Sequence, residues 1–409
     1  MSVSRNASVI LDISRLISRV RYATPSGVDR VEMAYARGLL AHYGEALHFA
    51  AVHPFGLYGR LPRKVALAYL DELERRWLKE DGKRRQRSLL SVLPQLAALL
   101  PCRRGIGTGG IYVQASPHHL TQLPRVRRIL AREGARFLCF VHDLIPIEFP
   151  EYARPSGAVL HRRRIETVAA ITAETGGAAI VNSASTARAL QPWLRAGTDV
   201  HIALLGTETL PPAAVEADPV AIDGRPYFVC LGTIEPRKNH LLLLHLWRHF
   251  AETMRSETIP RLVVIGRRGW ENEQVVDLLE RCPGIRDHVV EIGGCADTRL
   301  SALLRGARAL LMPSFAEGYG MPVAEALSVG VPVICSDLPA LREVGGDVPD
   351  YLDPLDGPGW KAAVIDHAAR GELHAAQIKR LPAWHNPSWD EHMAILSRVI
   401  DRMHEQGAA

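Results

Sequence analysis

Short β-rich apolar runs alternate with helical stretches twice along this chain. In the first half the runs are SVILDI (8–13), LHFAAV (47–52), IYVQA (111–115), RFLCFV (136–141), AAIVN (178–182) and DVHIAL (199–204). In the second half they are PYFVCLG (226–232), RLVVIG (261–266), HVVEIG (288–293), ALLMPS (309–314) and VPVICS (331–336). Gly, Pro, Asp or Ser bounds each run, and helical patterns such as 27–42, 239–254, 297–307, 321–329 and 360–370 fall between them. Strand–helix alternation of this kind predicts parallel sheets covered on both faces, because a parallel crossover has to run over a face.

The two series are separated by GTETLPPAAVEADPVAIDGRP (206–226), which is rich in Pro, Ala and acid, lacks periodicity and reads as a linker. The pattern therefore predicts an α/β protein of two Rossmann-like, doubly wound domains facing a cleft. The first spans 1–210 and the second 226–380, with 211–225 as the connection. Ligands are expected where strand C-termini open into the cleft. After a break at Pro387, Met393, Leu396, Val399, Ile400 and Met403 share one helical face, so the 386–409 segment must dock somewhere, the first domain being one place.

Composition agrees with this picture. A chain of 409 residues suits two domains of about 100–200 residues each. Its 47% hydrophobic and 23% charged residues exclude wholesale disorder, collagen and coiled coil. The six cysteines, Cys102, Cys139, Cys230, Cys282, Cys295 and Cys335, show no C-x-x-C spacing. Three lie inside strand-like runs, which favours reduced buried thiols over disulfides or zinc. The opening MSVSRNASVILDIS lacks a signal-peptide core, and no apolar run reaches the roughly 18 residues a spanning helix needs. A cytoplasmic enzyme is the expectation.

Charge divides the halves. The net charge of +5 combines +13 over 1–205, where 29 Lys and Arg face 16 Asp and Glu, with −8 over 206–409, where 20 face 28. The basic first half suits an anionic partner, whether nucleic acid, a membrane surface or a charged substrate.

The densest chemistry lies in ALLMPSFAEGYGMPVAEALSVGVPVICSDLPALREV (309–344). A buried strand ends at Pro313-Ser314, a loop carries Glu317, Gly318, Tyr319 and Gly320, and a helix starts near Met321-Pro322. Free N–H groups at that helix start and the helix dipole suit a diphosphate. Glu317 and Glu325 would repel a phosphate, so hydrogen bonds from sugar hydroxyls fit them better. In LGTIEPRKNH (231–240), Arg237 and Lys238 follow a strand C-terminus, where two cations can neutralise a diphosphate. VIGRRGW (264–270) and EIGGCADTRL (291–300) are further strand–Gly turns of the kind that line a nucleotide crevice.

The succession G-T-x-E-P-R-K-N, G-G-x-A-D-x-x-L, P-S-x-x-E-G-Y-G-M-P-V-x-E-A, G-V-P-V and D-L-P-A-L-R-E resembles the family-4 retaining glycosyltransferases of the GT-B fold. The match is dense over 226–356, looser through 8–35 and 136–205, and weak over 45–130 and beyond 357. The resemblance implies a nucleotide diphosphate-sugar donor bound by the second domain and an acceptor met by the first. It implies that Glu317 contacts donor-sugar hydroxyls and Glu325 the ribose, and that Arg237 and Lys238 hold the diphosphate. The backbone of Gly318, Tyr319, Gly320 and Met321 would seat the hexose, with Gly293, Gly294 and Cys295 near the base. In the first domain TPSGVDRVE (24–32) resembles the family's loop at its first long helix, so Gly27 and Val28 would offer N–H groups to donor phosphates. FVHDLIPIEFP (140–150) points to His142 as the residue meeting the reacting sugar, with Asp143 orienting the loop or the imidazole.

Other features carry less. GIGTGG (105–110) precedes a strand and so lacks a dinucleotide context, and His118-His119 have no partner at metal spacing. No D-x-D occurs, so no metal is expected, nor any other cofactor; Arg237, Lys238 and a helix end would supply the positive charge. The stretch 60–104 holds 12 Lys and Arg against 5 Asp and Glu, with KRRQR at 83–87 directly before SLLSVLPQLAALLP (88–101). It reads equally as a patch for anionic lipid or as a solvated basic loop before a buried helix. Nucleic acid is disfavoured, since no aromatic platform is interleaved with the charges.

The expected activity is metal-independent, retaining hexosyl transfer, with GDP-mannose as first donor and a saccharide acceptor, lipid-linked or part of a bacterial surface polysaccharide. The protein would act in the cytoplasm or on the inner face of the membrane. A soluble-acceptor transferase, a phosphorylase and a non-catalytic nucleotide-sugar-binding partner of an assembly complex are the alternatives.

Overall fold

The computed structural model describes residues 8–22, 24–79, 87–101, 110–207, 210–211 and 224–408. KRR and Gln at 83–86, the Gly-rich 105–109 and most of the 206–226 stretch lie outside the described residues. The rest forms two compact units. One takes the chain up to Trp77, the run ending at Gly206 and the segment from Ser388; the other takes Thr207–Pro387.

Among the described residues, the sheet of the first unit has the order β3-β2-β1-β4-β5-β6-β7. Its strands are β1 (Val9–Asp12), β2 (Leu47–Val52), β3 (Tyr58–Arg60), β4 (Gly110–Gln114), β5 (Ala135–Val141), β6 (Ala178–Val181) and β7 (Asp199–Ile202). Neighbours run parallel except β2 and β3. The second sheet, β10-β9-β8-β11-β12-β13, is parallel throughout. It consists of β8 (Tyr227–Leu231), β9 (Arg261–Ile265), β10 (Val289–Ile292), β11 (Leu310–Met312), β12 (Val333–Ser336) and β13 (Asp350–Leu352). Val9, Ile10, Leu11, Phe228, Val229, Leu310 and Leu311 are wholly buried. Helices cover both faces of such strands, and this is why they read as unbroken apolar runs. Cys139, Cys230 and Cys335 are buried thiols within strands.

Both sheets reverse direction of strand order once, between β1 and β4 in the first unit and between β8 and β11 in the second. The crevice beyond the strand C-termini at such a reversal is where doubly wound sheets bind ligands. Two strands fall outside the sequence-predicted runs. β3 (YGR) is an antiparallel edge strand, and β13 (DYL) is partly exposed throughout. Each is three residues long, too short for an apolar period to register.

The helix Trp389–Ala408 belongs to the first unit. Met393, Leu396, Val399, Ile400 and Met403 are buried against that unit, largely beside the helix Gly27–Tyr43. His392 donates from Nδ1 to the Leu204 carbonyl at 3.0 Å and accepts at Nε2 from the Tyr35 hydroxyl at 2.9 Å. A β-carbon at Gly206 would collide with the backbone of Trp389, so the helix start can seat there only because residue 206 is glycine.

Candidate active site

At the reversal point of the second sheet, two loops meet. β8 ends at Leu231 and leads into a tight turn, Pro236–Lys238, closed by Asn239 in the left-handed region at φ 54°. β11 ends at Met312 and leads through Pro313 and the buried Ser314 to Glu317. The loops are stitched by backbone, with Phe315 N–H donating to the Arg237 carbonyl at 2.8 Å. Arg237 Nη1 donates to the Ala316 carbonyl at 2.9 Å.

Within this frame Arg237 and Lys238 both close on Glu317. Lys238 Nζ lies 2.6 Å from Oε1 and Arg237 Nη1 lies 2.9 Å from Oε2, while the Glu317 side chain is only 6% exposed. Burial alone would raise this carboxyl, but the two cations outweigh it and hold it down at about 2. A second carboxylate, Glu235, pairs with Arg237 Nε at 2.7 Å; its burial pushes it upward despite the cations. Two carboxylates thus face two cations, and the cluster is neutral as it stands. Glu317 is the resident counterion of Arg237 and Lys238 rather than an unengaged acceptor beside them.

Downstream, Gly320 sits at φ 111°, and a β-carbon there would lie 2.5 Å from Leu341 Cδ2, so only glycine allows the chain to enter the next helix at this angle. That helix, Met321–Ser328, starts with proline in its first turn and receives no side-chain cap. Pro322 has no N–H, and the Val323 and Ala324 N–H groups donate to the Gly320 carbonyl, so the Met321 N–H is the one left for an anion. The Tyr319 ring and Glu325 are buried, so Tyr319 can offer only backbone to a ligand at this point. Gly293, Gly294 and Cys295 follow β10, which lies beyond β9 from β8; Gly293 is exposed and Cys295 partly so. They share the C-terminal edge of the sheet with the cation pair but not its immediate surroundings.

The reversal point of the first unit collects a different set. His142 follows β5 and its Nε2 lies 2.8 Å from the Ala115 carbonyl. A carbonyl only accepts, so Nε2 carries the proton and Nδ1 keeps a lone pair. Burial depresses this imidazole to about 4 and it stays neutral at pH 7. Asp143 accepts from the Ile145 N–H at 3.2 Å and so shapes the loop, while its carbonyl receives His161 Nε2 at 3.0 Å. Gly27 and Val28 open the helix Gly27–Tyr43, with Gly27 exposed. Ser26 and Asp29 form a capping box there, which the S-x-x-D spelling of 26–29 signals.

Several residues of this set escaped the sequence reading. Asp29, fully buried, is gripped by Arg15 Nε at 2.6 Å and Arg19 Nε at 3.1 Å. Glu32, one turn further on, is buried with Oε1 accepting from the Leu16 N–H at 3.3 Å. Burial and the neighbouring Asp12 push its carboxyl up to about 8. The i, i+4 spacing of Arg15 and Arg19 was the available signal for the first; a carboxylate inside an apolar helical stripe was the signal for the second. Among the described residues no group of three or more His, Cys, Asp or Glu side chains is placed to hold a metal ion, and His118 and His119 form none.

Residues 214–348 match the family model described as glycosyl transferases group 1. Over 173 residues, 39% of this chain and 43% of the relative, the sequence is 37% identical to O-antigen chain mannosyltransferase B of Escherichia coli. It is 27% identical over 245 residues, 56% of this chain and 29% of the relative, to the serotype-specific mannosyltransferase WbdA of Escherichia coli. The chain thus spans less than half the length of these two relatives. Among solved structures, sucrose-phosphate synthase from Thermosynechococcus elongatus superposes with a TM-score of 0.63 at 16% identity, covering 98% of this chain and 100% of that one. Anabaena HepE in complex with UDP and glucose gives 0.57 at 14% identity, covering 98% of both chains. These neighbours share the fold, two parallel-sheet units of the GT-B type. The chain has the GT-B fold of these neighbours, and its residues 214–348 match a group 1 glycosyltransferase domain.

Proposed function

We propose that this protein is a hexosyltransferase of polysaccharide biosynthesis that draws on a nucleotide diphosphate-sugar, retains the anomeric configuration and uses no metal ion. The observation that carries the reading is the pair Arg237 and Lys238 closed on Glu317 at the reversal point of the second sheet, inside the region that matches the group 1 model. The names of the relatives support mannose as the sugar, and GDP is the first choice of carrier.

The cations are held in place by Glu317 and are desolvated in advance, so they meet a diphosphate without reorganising. As the bond from the anomeric carbon to the phosphate oxygen breaks, charge grows on that oxygen, and Arg237, Lys238 and the Met321 N–H are the donors for it. The same carbon bonds to the acceptor oxygen on the same face. The acceptor's proton passes to the departing phosphate oxygen, and atoms and charge balance. Neutral His142, with Nδ1 open, accepts a hydrogen bond from a sugar hydroxyl and takes no part as an acid. The absence of D-x-D from the sequence supports a cation pair in place of a metal clamp.

A nucleotide-sugar melting screen followed by product analysis tests this reading. GDP-mannose is expected to raise the melting temperature, and the glycoside formed should keep the donor's anomeric configuration by NMR coupling, with EDTA present. Lys238→Ala should remove the melting shift and cut transfer at least ~100-fold. An inverted product, or full transfer by the variant, would overturn the proposal.

An anionic membrane surface is part of the same proposal. The helix Leu89–Ala98 buries Val92 and Leu96 and leaves Leu90 79% exposed and Leu93 41% exposed on its other side, directly after the basic run. No described helix is long and apolar enough to cross a membrane. Flotation with vesicles containing anionic lipid should carry the protein upward, and replacing the four basic residues of 83–87 with Gln should abolish it.

A further inference from the structure

The ion cluster of the second unit is closed before any ligand arrives. Glu317 accepts from Lys238 Nζ at 2.6 Å and from Arg237 Nη1 at 2.9 Å, while Glu235 Oε1 meets Arg237 Nε at 2.7 Å. The Glu235 side chain is 4% exposed and that of Glu317 6% exposed, so solvent screens neither carboxylate. The backbone holds the same loops together. The Lys238 N–H donates to the Glu235 carbonyl at 3.0 Å, and the Phe315 N–H donates to the Arg237 carbonyl at 2.8 Å.

A diphosphate diester brings two negative charges to this neutral group of four. Three responses are open: a carboxylate turns out into solvent, a further cation turns in, or a proton is taken up. The first breaks buried, charge-assisted contacts. For the second, the segment after β9 lies alongside, since the Ile234 N–H donates to the Arg267 carbonyl and Asn272 Nδ2 donates to the Ile234 carbonyl. That segment carries Arg267, Arg268 and Glu271. Arg268 is already paired with Glu280 and Glu291, and Arg267 and Glu271 cancel in sum. The charges that act most on Glu235 are those of Arg237, Lys238 and Glu317. The proton is left.

The two carboxylates are unequal takers of it. Glu317 has a cation on each oxygen and is held down at about 2. Among the described residues Glu235 is ion-paired with Arg237 alone, at the Nε edge. Burial already raises its carboxyl against the pull of Arg237 and Lys238.

We propose that Glu235 is a proton-accepting counterion: when a diphosphate diester pairs with Arg237 and Lys238, Glu235 takes one proton from solvent and returns it when the ligand leaves. The proton bonds to Oε2, and Oε1 goes on accepting from Arg237 Nε, so the guanidinium keeps its place while its charge turns to the ligand. No bond of the ligand is made or broken. The inference rests on the reading of this cluster as the diphosphate site. The complex binds the proton more tightly than the free protein does, so donor affinity is highest in mild acid and falls as pH rises.

The test is calorimetric binding of GDP-mannose and UDP-glucose to the full chain in buffers of different ionisation enthalpy. Both ligands are diphosphate diesters and lack the second phosphate ionisation near pH 6, so any proton exchanged belongs to the protein. Wild type should take up about half a proton or more per ligand at pH 7, and Kd should rise up to about tenfold per unit between pH 6 and 8. Glu235→Gln keeps an acceptor for Arg237 Nε but takes no proton. It should bind without uptake, with a flat pH profile, and at pH 8 at least as tightly as wild type. A carboxylate with only a structural role predicts the opposite, weaker binding by the variant. No uptake by wild type, uptake persisting in Glu235→Gln, or a variant that binds more weakly at pH 8 would overturn the inference and leave the donor reading standing. If the variant fails to fold, the wild-type proton count and pH slope still decide. If wild type binds neither ligand, the donor reading fails and this inference fails with it.

Discussion

Each unit of this protein places one buried carboxylate between two cations at the edge of its sheet, yet the two arrangements differ in sum. In the second unit Glu235 and Glu317 balance Arg237 and Lys238. In the first, Asp29 is shared by Arg15 and Arg19, while Arg164, whose Nε has no hydrogen-bond partner among the described residues, is countered only in part by Asp143. The difference parallels the halves' net charges of −8 and +13. A site that must release its anionic product gains from an internal counterion that re-pairs with the cations. Under the proposed reading, local pairing rather than net charge decides how an acidic half can serve an anionic donor.

The largest effect should come from removing the counterion of the neutral cluster. Glu317→Gln leaves Lys238 without a carboxylate and Arg237 with Glu235 alone, so turnover should fall by about two to three orders of magnitude and stability by roughly 3–5 kcal/mol, read by transfer rate and urea midpoint. Asp29→Asn is the matching variant in the first unit. It unpairs Arg15 and Arg19, which are partly solvated, and should cost about 1–3 kcal/mol while GDP affinity stays within twofold. If Asp29→Asn weakened GDP binding as much as Glu317→Gln, the distinction between the clusters would collapse.

A smaller contrast concerns pH. Glu317 is held at about 2, so its contribution is complete above the unfolded value near 4.5 and is lost as pH falls toward 2. Glu32 is raised to about 8, so it favours the fold while protonated and loses that advantage as pH rises from about 4.5 to 8. The melting temperature of wild type should therefore decline between pH 5 and 8 relative to Glu32→Gln. Parallel curves for the two proteins would show that Glu32 is ionised throughout.

The parallel cores were legible because strands such as FVCL and VILD are apolar on both faces, and the site loops because Gly, Pro and charged residues follow those strands at once. The ion pairs were not legible. Arg237 and Glu317 are far apart in sequence, and only the β8–β11 pairing makes them neighbours. Arg164 was hidden in the run Arg162-Arg163-Arg164, which reads as a solvated helix face. The His161 contact with the Asp143 carbonyl selects the third arginine to turn inward, and that contact depends on the tertiary fold.

The docking of the Trp389–Ala408 helix has a consequence for biosynthesis. The Tyr35 hydroxyl, Gly38 and the Leu204 carbonyl are met by residues beyond 388, after the whole of Thr207–Pro387 has been translated. At ribosomal speeds that interval is roughly 10–40 s. During it the unit that is made first waits with an open apolar groove, while the unit made second can already close. Chain order and folding order are therefore inverted, and a helix that emerges after the second unit is the one that completes the first core.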